Sequence, residues 1–271
     1  MTKTPRQTQP FRWGALAATV TLATSPAWGT VQPAPITLAN PETRLWLAQA
    51  QGGETGEAGI TAAAPVDSAY LAELAIIEGH MLAARDLYAM GQADNAVELS
   101  LHPAQEGTLD TLRAKIAAHA APDPQAALNA FTAAMTDGAD QAKVDAALTA
   151  VSQVFAAGAV GEAAKTRARF DAVVLLLKAA AAEYSAAIEN GAVADSLGWH
   201  EAYSFVVLAR LRLQDLAAIP LSSKAAPKAI AALAEADAAF GDTTAATPFA
   251  GDPQILLAIA ARVELIASSV R

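Results

Sequence analysis

The chain has 271 residues, of which 54% are hydrophobic and 17% are charged, and it contains no cysteine. The lack of cysteine excludes disulfides, thiolate nucleophiles, iron–sulfur clusters and zinc sites built on cysteine. The formal net charge is −9 and the sequence has no basic stripe, which excludes a nucleic-acid partner from the prediction because phosphate binding needs clustered Lys and Arg.

The first 29 residues have the pattern of an export signal. Three basic residues, Lys3, Arg6 and Arg12, precede an uncharged apolar run over residues 13–24. Two small-x-small sites follow this run, so we predict a Sec-type signal peptide at residues 1–29, a mature chain that begins at Trp28 or Thr30, and a periplasmic location. The leader holds these three basic residues and no acidic one, so its removal would lower the formal net charge to −12.

The composition of the segment after the leader predicts a flexible linker. Residues 30–67 are rich in proline and glycine and poor in apolar anchors, which is typical of a flexible linker. We therefore predict three parts: a signal peptide at 1–29, a flexible linker at 30–67 and a helical domain at 68–271. No later run is long and apolar enough to predict a stable membrane span after cleavage of the signal.

From Ser68 onward the sequence is rich in alanine, with Leu, Ile and Val spaced three and four residues apart. This spacing predicts an all-α domain, and the short breaks at Gly and Pro favour a multi-helix bundle or an α-hairpin array. Ser68 is the expected N-cap of the first long helix, and Gly91 its stop. In chain order the predicted helices span 68–90, 94–101, 103–119, 124–135, 140–156, 161–190, 193–217, 224–240 and 253–269.

His80 is the first candidate site residue, because it shares a mostly apolar helix face with Glu73. The two side chains are two turns apart, so each needs a partner from another helix if it is buried. The alternative interpretation is a hydrogen-bonded core histidine.

His102 and Glu106 form a second candidate pair. His102 precedes Pro103, which suits a helix start, and Glu106 lies one turn further on. Helix N-termini favour anions, so a structural interpretation also fits: His102 caps the helix and Glu106 stabilises its first turn.

His200 lies in a segment that concentrates aromatic residues, between Trp199 and Tyr203. It shares a mostly apolar face with Ser204 and residues further along the helix. This cluster predicts either core packing or the wall of a ligand pocket.

Motifs for enzyme chemistry are absent from the sequence. It has no P-loop, GxGxxG, GxSxG or EF-hand loop, and His200-Glu201 lacks the second histidine of HExxH. We therefore predict a protein that is not an enzyme.

The segment from Ile76 to Glu106 resembles a segment of uncharacterised exported all-helical proteins of Gram-negative bacteria. The residues that carry the resemblance are Ile76-Ile77-Glu78-Gly79-His80, Leu87-Tyr88, Gly91, Ala96 and His102-Pro103 to Glu106. The pattern also tends to have a histidine three positions before the His-Pro pair, where this chain has Leu99. The resemblance implies a bacterial envelope protein with a helical fold, and it implies no activity.

Two functions remain open at this point. The first is a periplasmic binding protein that holds a metal ion, with iron, copper and zinc as candidates, or a haem-like ligand. It requires two histidines from different helices within about 5 Å, because metal–ligand bonds are near 2.0–2.2 Å. The candidate ligands are His80, His102, Glu106, Glu73 and His200.

The second is a structural or protein-interaction module that presents helical hairpins to an envelope partner. It is favoured by a loose tetratricopeptide-like spacing of Leu87, Gly91, Ala96 and Pro103. The ligand, the partner and the oligomeric state are not predicted.

Overall fold

The computed structural model describes residues 55–105, 108–118, 121–159, 165–243 and 248–270. The described residues are almost wholly helical, which confirms the all-α prediction. The predicted signal peptide and the predicted linker up to residue 54 lie outside the described residues. Among the described helices, none combines the length and the apolar character that a membrane crossing requires.

The helices follow one another with short connections. They are α1 (Thr55–Ala62), α2 (Val66–Ala89), α3 (Ala93–Gln105), α4 (Thr108–Ala118), α5 (Gln125–Thr136), α6 (Gln141–Gly158), α7 (Thr166–Ala187), α8 (Ser196–Ala217), α9 (Ala226–Leu233), α10 (Asp237–Phe240) and α11 (Gln254–Ala267). A 3₁₀ turn, Ala234–Ala236, separates α9 from α10. A two-residue hairpin, β1 (Ile188–Glu189) with β2 (Ala192–Val193), joins α7 to α8.

Local signals set several helix ends where the sequence predicted them. Gly91 and Gly138 have positive φ values of 78° and 68° directly after helices, a conformation that glycine adopts without strain. Asp140 caps α6 by accepting a hydrogen bond from the backbone N–H of Lys143 at 2.8 Å. Asp195 caps α8 in the same way. The predicted helix 161–190 ends at Ala187, because Asn190 and Gly191 form the turn of the hairpin.

Two apolar clusters form the core. One involves mainly α7, α8, α9 and α11, and the other involves α2 to α6. Helix α2 contributes to both, since Ala72 and Ile76 lie in the first cluster whereas Leu74 and Ile77 lie in the second. Helix α2 is therefore the element that links the two halves of the core.

The end of the predicted linker is helical instead of irregular. Helix α1 covers Thr55–Ala62, and α2 begins at Val66. Ile60 is buried and joins the core cluster of α7 and α8, so it supplies an apolar anchor that the composition of the segment did not reveal. Since α2 begins before Ser68, this residue lies buried inside the first turn and is not the N-cap.

One helix, α3, replaces the break predicted at His102. It continues through His102 and Pro103 to Gln105, so His102 is not a helix cap. Proline lacks a backbone N–H and therefore removes the bond to the carbonyl of Leu99. Both Leu99 and Pro103 are buried, and this packing offsets the lost bond, since tertiary packing supplies most helix stability in proteins.

Candidate metal centre

Two histidines from different helices converge on one carboxylate oxygen of a third helix. His80 (α2) places Nε2 3.2 Å from Glu201 Oε1, and His102 (α3) places Nδ1 3.1 Å from the same oxygen of Glu201 (α8). One nitrogen or oxygen atom from each residue lies within 4.8 Å of the other two. We call these three residues the His–Glu cluster. It meets the condition that two histidines from different helices approach within about 5 Å.

Burial makes an uncompensated charge in this cluster costly. The side chains of His80 and Glu201 are 2% and 6% exposed, whereas that of His102 is 17% exposed. A buried carboxylate needs a compensating positive charge or hydrogen-bond donors, because its desolvation is unfavourable. Access from solvent is therefore greatest on the side of His102.

The tautomer of His80 follows from its neighbours. Its Nδ1 lies 2.8 Å from the carbonyl oxygen of Ile76, one turn earlier in α2. A carbonyl only accepts hydrogen bonds, so Nδ1 carries a proton and donates it. In the neutral ring the Nε2 lone pair then faces the Glu201 oxygen, and a proton or a cation must lie between these atoms to make the contact favourable. An Nδ1–H bonded to a backbone carbonyl is also how metal-binding histidines are commonly oriented.

The two nitrogen–oxygen distances are compatible with a shared ion. Two ligand atoms that each lie about 2.1 Å from one metal, at angles between about 90° and 109°, are separated by about 3.0–3.4 Å. The two nitrogen–oxygen distances to Glu201 fall in this range. Two imidazoles and one carboxylate leave further coordination positions open, a donor set suited to iron, zinc or copper.

Helix α8 carries a further buried polar side chain, three residues after Glu201 in the sequence. Ser204 lies one turn after Glu201 and is 1% exposed, and its hydroxyl has no hydrogen-bond partner among the described residues. Buried hydroxyls are normally satisfied. Ser204 is therefore a second buried polar group on α8, close to Glu201 in sequence.

Close packing fixes the ring of His80. Its centroid lies 5.4 Å from that of Phe205 (α8), edge to face, and 6.1 Å from that of His102. Phe205 approaches α2 at Gly79, where a Cβ atom would lie 2.6 Å from the Cε1 of the ring. Glycine is therefore required beside His80, and it allows α8 to bring both Phe205 and Glu201 to the site.

The other predicted site residues are not part of the His–Glu cluster. Glu73 forms an ion pair with Lys115 of α4, in which its carboxylate accepts a 2.6 Å hydrogen bond from Nζ. His200 is buried, with its ring edge-to-face on Trp199 at 4.9 Å, and burial lowers the pKa of the imidazole. Its environment is that of a neutral core histidine, the packing alternative. Glu106 lies outside the described residues.

The sequence reasoning missed Glu201, although a signal was present. Glu201 lies four residues before Phe205 and seven before Leu208, both of which are buried. A single carboxylate in an apolar stripe with helical spacing points to a buried acidic group that needs partners. The prediction rested instead on the helix face that contains His200 and Ser204.

A comparison with protein families places part of this fold. Residues 159–270 match the iron permease-associated 4-helix bundle domain. No curated protein and no solved structure matches the chain significantly. The matched segment contains α7, α8, α9 and α11, and thus Glu201, whereas His80 and His102 precede it. The segment that resembles exported helical proteins also precedes it.

Proposed function

We propose that this chain is an exported, non-enzymatic protein of the periplasm that holds one divalent cation, iron(II), as cargo. The observation that carries the proposal is the convergence of His80 and His102 on a single buried oxygen of Glu201. Each ligand comes from a different helix, so the arrangement depends on the fold and is not a local sequence effect.

Iron is favoured for two reasons. Two imidazoles and a carboxylate with open positions are the donor set of non-haem iron(II) sites, although zinc and copper accept the same ligands. The match of residues 159–270 to a domain associated with iron permeases supports iron over the other two. We infer that the protein works beside an iron permease, to which it would deliver the ion.

Export is supported by the leader, and its processing can be measured directly. We expect the full-length gene product to appear in the osmotic-shock fraction of a Gram-negative host, with an N-terminus at Trp28 or Thr30. Replacing the basic residues Lys3, Arg6 and Arg12 by glutamate should leave the precursor in the cytoplasm, because the signal needs a positive start. An intact N-terminus in the periplasmic fraction would contradict cleavage.

The metal site is tested by a matched pair of carboxylate variants. Mature protein is stripped with chelator and titrated anaerobically with iron(II), and bound metal is measured after equilibrium dialysis. We expect one ion per chain. Loss of a residue that only hydrogen-bonds to a metal ligand typically lowers metal affinity about 10–100-fold. Glu201→Gln should lower the affinity by more than this, because it removes a direct ligand. Glu73→Gln, on α2 and ion-paired to Lys115, should leave affinity unchanged.

The histidine variants and competing metals complete the test. His80→Ala and His102→Ala should each weaken binding, and binding should fall as the pH is lowered because histidine must be neutral to ligate a metal. Iron(II) binding that is equal in Glu201→Gln and in the wild type would contradict the site. Zinc binding without measurable iron(II) binding would contradict the choice of iron.

The interaction-module alternative keeps one supporting observation. Helices α2 and α3 pack as a hairpin in which Leu87, Ala96 and Pro103 are buried and Gly91 makes the turn, as the tetratricopeptide-like spacing suggested. A module of this kind has no need for two histidines aimed at one buried carboxylate, so metal binding is the better-supported function.

A further inference from the structure

A second feature, whose lining includes no residue of the His–Glu cluster, is an apolar cleft of about 250 Å³ between α2, α6, α7 and α8. Its walls include Leu74, Phe155, Val173 and Leu176. The volume corresponds to about eight water molecules at a bulk share of about 30 Å³ each. Mostly apolar walls with a few polar groups are typical of sites for small organic molecules.

Charged side chains also line this cleft. Arg212 is neutralised there, because it pairs with Glu78 and lies 3.9 Å from Asp215. Arg169 of α7, which is half-buried, also lines the cleft. We call this pocket the Arg169 cleft.

Arg169 differs from the other arginines that the structure describes. Each of the others has a carboxylate ion-pair partner: Arg85, Arg113, Arg167, Arg210, Arg212 and Arg262. Arg169 has none among the described residues. A guanidinium presents donors in a fixed fork that matches a carboxylate, and partial burial strengthens such a pair.

We propose that the Arg169 cleft binds a small amphipathic carboxylate with a short acyl chain. The carboxylate pairs with the Arg169 guanidinium, and the acyl chain packs on the apolar walls. Each buried methylene of the acyl chain stabilises the complex by about the free energy of its transfer from water to an apolar phase. Affinity therefore rises with chain length until the cleft is full. Glu78 and Asp215 each lie within ion-pair distance of Arg212, and neither pairs with Arg169, so the Arg169 guanidinium is left to donate to the ligand.

The proposal is tested with sodium octanoate as the probe and the mature protein in a calorimetric titration. We expect saturable binding of one octanoate per chain. Octan-1-ol should bind at least about tenfold more weakly, because it lacks the charge. Arg169→Gln should weaken octanoate binding about tenfold to 100-fold, the usual effect of losing hydrogen bonds to a charged group. Arg167→Gln is the matched control, because Arg167 lies two residues earlier on α7 and pairs with Asp171.

A second pair of variants tests the cleft by occlusion. Ala156 is exposed and lines the cleft, so Ala156→Trp should fill it and abolish octanoate binding with little effect on folding. Ala146→Trp, exposed on the same helix outside the cleft, should leave binding unchanged. The helical circular dichroism of each variant is compared with that of the wild type. If Arg169→Gln does not fold, Ala156→Trp decides.

Several results would overturn the proposal: no saturable octanoate binding to the wild type, equal binding of octan-1-ol, or octanoate binding that survives Arg169→Gln or Ala156→Trp. The proposal does not depend on the metal site. Glu201→Gln should therefore bind octanoate as the wild type does, so failure of the metal site and failure of the cleft are separate outcomes.

Discussion

At residue 79, the absence of a side chain decides where the ring of Phe205 lies. The ring occupies the space of a Cβ atom, and it packs edge to face on His80. Glycine in the middle of a helix costs about 1 kcal/mol relative to alanine. This cost is offset by a close approach of α2 and α8 that a larger residue would prevent.

We therefore expect Gly79→Ala to destabilise the metal-free protein in spite of the better helix propensity of alanine. Overpacking costs about 1–3 kcal/mol, against a gain of about 1 kcal/mol from propensity. The net loss should appear as a lower free energy of unfolding in urea. Iron(II) affinity should also fall, because a displaced Phe205 no longer holds the ring of His80.

A compensating variant separates the steric cause from a general effect of the substitution. In Gly79→Ala with Phe205→Leu, the smaller side chain makes room for the new Cβ, so the double variant should lose less stability than the two single losses added together. Additive losses, or a more stable Gly79→Ala protein, would show that the contact does not constrain the helices.

The sequence predicted the site only in part at this scale. His80 and His102 were identified because histidines in a chain without cysteine are the natural nitrogen ligands. Glu201 was not, since its role depends on the crossing of α2 and α8, and no local pattern records which helices meet. Glu73 and His200 have the same helical spacing as the members of the His–Glu cluster, and only their actual neighbours, Lys115 and Trp199, distinguish them.

At the scale of elements, helix type and most helix ends were predictable from local chemistry. Glycines after helices and aspartates before them act over one turn, so the sequence records them directly. The break expected at Pro103 was wrong because burial of that residue outweighed its local penalty. This error affects the site, since His102 reaches Glu201 from within α3 and not from a helix cap.

At the scale of the whole molecule, the three residues of the His–Glu cluster connect parts of the chain that are far apart in sequence. His80 and His102 belong to the α2–α3 hairpin, and Glu201 lies in the segment that matches the 4-helix bundle. Their separations from Glu201, 121 residues for His80 and 99 for His102, mean that an ion would fix a long-range contact that the unfolded chain lacks. Metal binding and folding should therefore be coupled.

This coupling predicts a measurable rise in thermal stability. A ligand that binds only the folded state, at 100 times its Kd, stabilises a protein by about 2.7 kcal/mol. For a chain of about this size, 1 kcal/mol shifts the Tm by about 2–4 °C, so saturating iron(II) should raise the Tm by roughly 5–11 °C in anaerobic calorimetry. The same shift should occur in Glu73→Gln and disappear in Glu201→Gln. A shift that persists in Glu201→Gln would place the ion elsewhere, and no shift in the wild type would contradict preferential binding of iron(II) to the folded chain.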